Sequence, residues 1–199
     1  MSRKLSIILV CTLCLVGSVT HASTLWNGDF SKGTNGLEGW WTYLPNPAAQ
    51  SVTVVDGSAV IYNADQTIAG DAKLGQWFGD PVVGASNALT FDFKATVAAG
   101  DGWAGLGVGV EYKDAGGTWL KTDWMNLWDT ASYTSGWVTQ TLASTTPANA
   151  ASFQVIFDTW AGDGGVVTAT VDNVSMVPEP ATMVLLGIGG LVALRRKHA

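Results

Sequence analysis

The sequence predicts an all-β protein, an antiparallel β-sandwich or barrel. Apolar residues alternate with polar or small ones in about ten short segments, and a period of two is typical of strands with one buried face. Gly, Pro, Asp and Asn separate these segments, as they do in turns. No window of useful length shows the 3.6-residue period of an amphipathic helix. Short strands joined by turns favour two packed sheets or one closed sheet.

The predicted strands follow one another closely along the chain. They are Gly39–Tyr43, Ser51–Val55, Ala59–Tyr62, Lys73–Phe78, Ala88–Val97, Leu106–Tyr112, Thr118–Trp128, Trp137–Leu142, Ser152–Thr159 and Val166–Met176. The clearest alternation places Leu89 and Phe91 on one face and Thr90 on the other. Between the second and third strands, Asp56-Gly57 predicts a type I′ hairpin, because both residues tolerate positive φ angles.

The first 22 residues predict a secretory signal peptide. Arg3 and Lys4 supply the positive start, Leu5–Val19 the apolar core, and Thr20-His21-Ala22 a cleavage site before Ser23. We therefore divide the chain into a signal peptide at 1–22, a β-sandwich domain at 23–176 and a C-terminal segment at 177–199.

The C-terminal segment has three parts: Pro178-Glu179-Pro180, the uncharged run Ala181–Leu194, and Arg195-Arg196-Lys197. The prolines end a strand, because proline lacks the N–H that a sheet requires. A helix over the apolar run would rise about 21 Å, short of a ~30 Å hydrocarbon core unless flanking side chains extend it. We expect a hydrophobic transmembrane helix that holds the protein transiently at the inner membrane, with its basic end in the cytoplasm.

This tail resembles the PEP-CTERM sorting signal of Gram-negative bacteria that make exopolysaccharide. The resemblance implies an exported protein that is processed by an exosortase and sorted to the cell envelope, the outer surface or the extracellular matrix. An ordinary membrane anchor at the C-terminus is the alternative. In either case the tail determines where the protein is located, and it carries no information about the function of the β-sandwich domain.

Composition excludes several classes of function. Between residues 23 and 177 there are five lysines, no arginine and fifteen acidic residues, a net charge of −10. Nucleic acid is a poor partner for such a surface, whereas divalent cations such as calcium suit it. Both cysteines and both histidines lie outside this span, so neither a Ser-His-Asp triad nor a zinc site of imidazoles or thiolates can form there.

We therefore expect a protein that is not an enzyme. A carboxylate pair can still cleave a glycosidic bond, and Glu38 and Glu111 are the only glutamates between residues 23 and 177. A carboxylate-based glycan hydrolase or lyase is accordingly the weaker alternative.

All ten tryptophans lie in the predicted domain, and indole faces stack on the C–H surfaces of sugars. The candidate ligand-binding residues share strand faces in pairs: Trp41 with Tyr43, Trp124 with Trp128, and Gln154 with Asp158. The last pair alternates with apolar residues and so points away from the core. The side that it faces is either a glycan cleft or simply solvent-exposed surface.

The other tryptophans have different expected places. We expect Trp26, Trp40, Trp119 and Trp137 in the core. Trp103 and Trp160 are predicted in Gly/Asp-rich loops, where binding sites are usually built. Trp124 and Trp128 could equally line a ligand face or fill the core.

Three short motifs are similar to those of galactose-binding-like jelly-roll carbohydrate-binding modules. They are Asn27-Gly28-Asp29-Phe30, the strand Leu89–Ala95 and Val171-Asp172-Asn173-Val174-Ser175. The resemblance implies an antiparallel jelly roll whose first and last strands are neighbours, with a structural calcium on Asp172. Ser31-Lys32 stands where an acidic residue commonly follows the opening motif, so Asp29 would have to substitute as a calcium ligand. The alternative role for Asp29 is to cap a turn.

The leading hypothesis is non-catalytic association with polysaccharide, the cell's own exopolysaccharide. The rival is a structural biofilm or cell-surface protein without a specific glycan site, in which the tryptophans are core.

Overall fold

A computed structural model of the protein describes residues 25–64, 70–98, 103–127 and 136–178. The predicted signal peptide, Trp128 and the sorting residues Glu179, Pro180, Arg195 and Arg196 lie outside the described residues. Within these ranges the fold is an antiparallel β-sandwich without a helix, as predicted. It follows that no described segment is a helix that could cross a membrane.

Ten strands form the sandwich, close to the number expected. They are β1 Trp41–Tyr43, β2 Gln50–Val55, β3 Ser58–Asn63, β4 Gly70–Gly79, β5 Ser86–Ala98, β6 Trp103–Lys113, β7 Trp119–Asn126, β8 Val138–Thr145, β9 Ser152–Gly162 and β10 Val166–Pro178. The front sheet has the order β1-β4-β9-β6-β7, and the back sheet has the order β2-β3-β10-β5-β8.

The β2–β3 hairpin has the predicted turn. Asp56 and Gly57 have φ angles of 51° and 79°, which a type I′ turn requires. The turn sets the register, with Val55 opposite Ser58 and Val52 opposite Ile61. Ile61 is fully buried, so this register delivers the apolar face of β3 to the core.

The core lies between the sheets and is largely aromatic. Phe91 of β5 meets Phe157 of β9 edge to face, with ring centroids 5.3 Å apart. Trp40 is 8% exposed and packs on Phe30, as expected for a core tryptophan. Its indole Nε1 donates to the Asn27 carbonyl at 2.9 Å, so the buried polar atom is satisfied.

The opening segment is held against the last strand. Val174 N donates to the Gly28 carbonyl at 2.9 Å, and a Cβ on Gly28 would come within 1.9 Å of the Val174 oxygen. Only glycine permits this approach of two backbones. The Asn27 side chain donates to the Gly36 and Glu38 carbonyls and fixes the loop before β1.

Three tryptophans expected in the core are exposed. Trp26, Trp119 and Trp137 are 55%, 58% and 46% accessible to solvent. Trp119 opens β7 and Trp137 immediately precedes β8, and both strands lie at sheet edges. A side chain on an edge strand has a neighbouring strand on one side only and is therefore less covered than one on a central strand. The local sequence pattern does not show which strands are at an edge, so it could not predict that these rings are exposed.

Trp103 and Trp160 were also predicted wrongly, since both belong to strands rather than loops. The β6–β9 ladder pairs Trp103 with Gly162 and Gly105 with Trp160. Pairing therefore extends to Gly162, and only Asp163 and Gly164 of the predicted loop Ala161–Gly164 form a turn.

Candidate functional site

The outward face of the front sheet is the candidate site. On its central strand β9, Phe153, Val155 and Phe157 are buried in the core. Gln154, Ile156, Asp158 and Trp160 alternate with them and point outward. The predicted orientation of Gln154 and Asp158 is therefore correct, and the cross-strand register shows which residues accompany them.

Glycines of β6 form the floor beneath Trp124 of β7. Added Cβ atoms at Gly107 and Gly109 would lie 2.4 Å from Cζ2 and 2.6 Å from Cε3 of Trp124. These two atoms belong to opposite sides of the six-membered ring, so the ring lies along the β6 backbone. Trp124 is 41% exposed, which leaves its outer face open to solvent.

Two further tryptophans lie on glycine in the same manner. A Cβ on Gly105 would be 2.6 Å from the Trp160 ring, and one on Gly75 would be 2.3 Å from the Trp41 ring. Trp124 and Trp160 are neighbours, with ring centroids 6.5 Å apart. We call Trp41, Trp124 and Trp160 the indole platform.

Strand β9 runs between the strands on which Trp41 and Trp124 lie. Trp41 pairs with Gly75 on β4, and Trp124 pairs with Gly109 on β6, and both glycines pair with Ile156. The two rings thus lie in one row across the sheet. The backbones beneath them are two strand spacings apart, about 10 Å.

Asp158 is the central charged group of this face. Its Oδ2 accepts from Lys73 Nζ at 2.7 Å, and the same ammonium contacts Asp71 at 3.0 Å. Burial raises the pKa of Asp158 to about 6, although the Lys73 hydrogen bond opposes the shift. Burial lowers the pKa of Lys73, but its hydrogen bonds to Asp158 and Asp71 outweigh this effect and raise the pKa overall.

Gln154 is the second buried polar group. Its Nε2 donates to Glu111 Oε1 at 2.9 Å, and Glu111 pairs with Lys113 at 3.4 Å. Lys113 Nζ in turn lies 4.5 Å from the centre of the exposed Trp77 ring. A second polar cluster therefore borders the platform at its other end.

Three buried side-chain atoms in the described ranges lack any hydrogen-bond partner: Trp41 Nε1, Gln154 Oε1 and Asp158 Oδ1. All three belong to the outward face of the front sheet. An unmet buried donor or acceptor costs about 1–3 kcal/mol, and native structures contain few of them. Their concentration on one face requires an explanation.

The front sheet brings together five of the six predicted ligand-binding residues, including Tyr43, which is 52% exposed and pairs with Lys73. Trp128 lies outside the described ranges. Sequence reasoning singled out Trp160 as a tryptophan of a binding loop, but the structure places it in β9 on this face; Trp77 was missed. It also missed the glycine floor, although the alternation of Gly105, Gly107 and Gly109 with Leu106 and Val108 is visible in the sequence.

The two predicted calcium ligands are both engaged locally. Asp29 Oδ1 accepts from the hydroxyl of Ser31 at 2.9 Å and from its backbone N–H at 3.3 Å. Asp172 accepts from Ser58 Oγ and from the Asn173 N–H. Among the described residues, no three His, Cys, Asp or Glu side chains converge on a point that could hold a metal ion. Calcium binding stays a prediction from the resemblance.

Comparison with known proteins identifies the tail and the fold. A family model of the PEP-CTERM protein-sorting motif matches residues 177–197. No curated protein is similar enough to this sequence to indicate a relative.

Solved structures resemble the domain. The enzymatically active domain of tailspike protein 4 of bacteriophage CBA120 is 16% identical with a TM-score of 0.56, and the match covers 78% of this chain and 21% of that one. A CBM4 structure is 22% identical with a TM-score of 0.52, covering 77% of this chain and 99% of that one.

A structure of carbohydrate-binding modules from the β-sandwich superfamily is 18% identical with a TM-score of 0.52, covering 80% and 64% of the two chains. The chain thus spans about a fifth of the tailspike domain and under two thirds of this last protein. At these identities the likeness shows the fold alone. The protein carries a PEP-CTERM sorting motif and a β-sandwich of the kind found in carbohydrate-binding modules.

Proposed function

We propose that the protein binds polysaccharide without cleaving it, on the outward face of the front sheet. The observation that carries this proposal is the indole platform, three tryptophans laid on glycine backbone. Ile156 lies in the row between Trp41 and Trp124, and Gln154 and Asp158 lie in the rows on either side of it. Flat indole faces stack on the C–H surfaces of pyranose rings. Held against a rigid sheet, the rings lose little conformational freedom when a ligand binds.

The unpartnered polar atoms support the same proposal. Gln154 Oε1, Asp158 Oδ1 and Trp41 Nε1 lie buried beneath this face without partners. A hydroxyl-rich ligand that displaces the side chains covering them would donate to the two oxygens and accept from the indole nitrogen. Stacking together with a few directed hydrogen bonds is the combination that a sugar site needs. The stability lost by leaving these atoms unmet in the free protein would be recovered in the complex.

The sorting motif gives this binding a location. An exosortase would recognise the segment around Pro178-Glu179-Pro180, and the protein would then reach the cell envelope, with its outer surface or surrounding matrix as the destination. The cell's own exopolysaccharide is the polysaccharide within reach there. The aspartate-rich surface, without arginine between residues 23 and 177, keeps such a protein soluble and free of nucleic acid.

Titration with soluble glycans tests the proposal. Ligand on the platform should give a saturable change in tryptophan fluorescence, and Trp124→Ala should weaken binding about tenfold or more. Trp137→Ala is the matched control, because this ring is as exposed but borders the back sheet. Equal loss in both variants, or no response to a broad glycan panel, would contradict the proposal and favour a structural surface protein.

One observation favours a second candidate, a carboxylate-based glycan hydrolase. Asp71 and Asp158 contact the same Lys73 ammonium at 3.0 and 2.7 Å, so the two contacting oxygens lie within about 6 Å, near the spacing of retaining glycosidases. The single ammonium between them holds both carboxylates in ion pairs, which argues for binding instead. Release of reducing ends that disappears in Asp71→Asn and Asp158→Asn would establish cleavage.

A further inference from the structure

The register of the strands defines the end of the sandwich from which the C-terminal tail leaves. In the back sheet, β10 stays paired with the start of β5 up to Pro178. In the front sheet, Gly79 at the end of β4 pairs with Ser152 at the start of β9, and Ser152 pairs with Lys113 at the end of β6. Residues 80–85 join the two sheets here, between β4 and β5. We call this part of the molecule the exit end.

Three valines at the exit end are half-exposed to solvent. Val82 and Val83 lie in residues 80–85, and Val177 immediately precedes Pro178 in β10. The side chain of Met176, one residue earlier, is buried in the core, so Val177 points outward. Apolar side chains that are exposed together at one place mark a contact with another surface.

Two exposed tryptophans also lie at this end, on the front sheet. Trp77 precedes Gly79 by two residues in β4, and Trp119 opens β7 opposite Lys113. The Lys113 ammonium lies 4.5 Å from the centre of the Trp77 ring. Indoles have an apolar body and a polar edge, and lysine has an apolar stem and a charged head. Both kinds of side chain suit the headgroup layer of a membrane.

The tail limits how far the exit end can lie from a membrane. Only Glu179 and Pro180 separate Pro178 from the uncharged run Ala181–Leu194. Three residue steps span about 11 Å at most, and the headgroup layer on each side of a bilayer is about 5–8 Å thick. An apolar run that has entered the bilayer therefore holds the exit end against the headgroups.

We propose that the exit end rests on the surface of a lipid bilayer while the tail is attached, with the three valines and the two tryptophans in the headgroup layer. This surface is separate from the indole platform and does not depend on glycan binding. Because residues 23–177 carry a net charge of −10, anionic lipid does not attract the domain, and apolar contact must hold it. The tether keeps the local concentration of lipid high, so the contact ends when the tail is removed.

Quenching of tryptophan fluorescence by brominated lipid tests the proposal. The full chain is exported by a host without an exosortase, so that the tail stays attached, and is reconstituted in nanodiscs of brominated phosphatidylcholine. The tail contains no tryptophan, so quenching reports contact of the domain. We expect the wild type to be quenched and Val83→Asp to lose most of this quenching, because a carboxylate resists transfer out of water.

Val55→Asp is the matched control. Val55 is 53% exposed, against 55% for Val83, but it lies in the β2–β3 hairpin. The ladder from this hairpin through β3 to β10 places it near the level of Asp172, about 20 Å from the exit end. Val55→Asp should therefore be quenched as strongly as the wild type.

A second pair of variants identifies the rings in contact with lipid. Trp77→Phe combined with Trp119→Phe should lose more quenching than Trp124→Phe combined with Trp137→Phe, whose rings are also exposed. Equal losses in the two pairs, an unquenched wild type, or a Val83→Asp variant quenched like the wild type overturns the proposal. A dimer that forms without lipid and is lost in Val83→Asp also overturns it, because the exit end would then bind a second copy of the chain. None of these outcomes bears on glycan binding.

Discussion

At the scale of single residues, the outward face of the front sheet loses stability by burying polar atoms without hydrogen-bond partners. Asp158 keeps a carboxylate almost entirely buried, with one oxygen bound to Lys73 and the other unpartnered. A well-packed apolar residue would cost less at this position. The tryptophans fall into two groups: Trp40 is buried in the core, whereas Trp124 lies on glycine backbone with one ring face exposed to solvent.

Asp158→Asn should remove a pH dependence of stability. The pKa of Asp158 is about 6 in the folded state against an ordinary 3.8, so the folded protein binds the proton more tightly. This stabilisation is complete below pH 3.8 and is lost as the pH rises through 6, by at most about 3 kcal/mol. Urea unfolding from pH 4 to 7 measures it. A variant with the slope of the wild type would contradict the assignment, and Asp56→Asn is the control.

Alanine substitutions should separate core from platform tryptophans. Trp40→Ala should lower the free energy of unfolding by about 3–5 kcal/mol, because it empties a core site and removes the partner of the Asn27 carbonyl. Trp124→Ala should cost about 1 kcal/mol, since much of that ring is already in water. Chemical denaturation measures both values. Equal losses would indicate that Trp124 is a core residue.

At the scale of elements, β6 contributes to the core with one face and to the indole platform with the other. Leu106, Val108 and Val110 are buried in the core, while Gly105, Gly107 and Gly109 leave room for indoles that arrive from β7 and β9. None of these glycines needs a positive φ angle. Their small size is used here to let another side chain rest on the backbone.

Gly107→Ala should therefore disturb the platform more than the fold. The new Cβ would meet the Trp124 ring at 2.4 Å and lift it from β6, which should weaken glycan binding about tenfold. Gly79→Ala is the control, because a Cβ there meets nothing within 4 Å. Unchanged binding by Gly107→Ala, with circular dichroism confirming the fold, would show that the flat position of Trp124 is not needed.

At the scale of the whole molecule, the domain and the sorting tail are directly joined. Strand β10 runs between β3 and β5 in the back sheet, and its last residue, Pro178, pairs with Asn87. Only Glu179 and Pro180 separate it from the apolar run that begins at Ala181. Proline ends the ladder because it has no N–H to donate.

Replacement of Pro178-Glu179-Pro180 by three alanines should block sorting. Without the tripeptide, an exosortase has no recognition site, and the apolar segment that follows stays attached and holds the protein at the membrane. Cell fractionation with immunoblotting should show a heavier, membrane-associated protein in place of the processed form. Asp56→Asn should be processed normally, and normal processing of the alanine variant would contradict the proposal.

The all-β class, nearly every strand, the β2–β3 turn and the sorting motif could all be predicted from the sequence. Each of these depends on a local pattern: the alternation of apolar and polar residues, Asp-Gly at a turn, or the order of the three parts of the C-terminal segment. The sequence also paired Trp41 with Tyr43 and Gln154 with Asp158, because residues two or four apart in a strand share a face.

The exposure of each tryptophan and the set of residues on the outward face of the front sheet depend on tertiary contacts and could not be predicted from the sequence. Trp26, Trp119 and Trp137 alternate or border strands like core residues, but the positions of their strands and loops at the edges leave them in solvent. The platform joins Trp41, Trp124 and Trp160 from three strands through registers between segments distant in the chain. Such pairings depend on the free energy of the whole sandwich, and a local pattern carries no information about them.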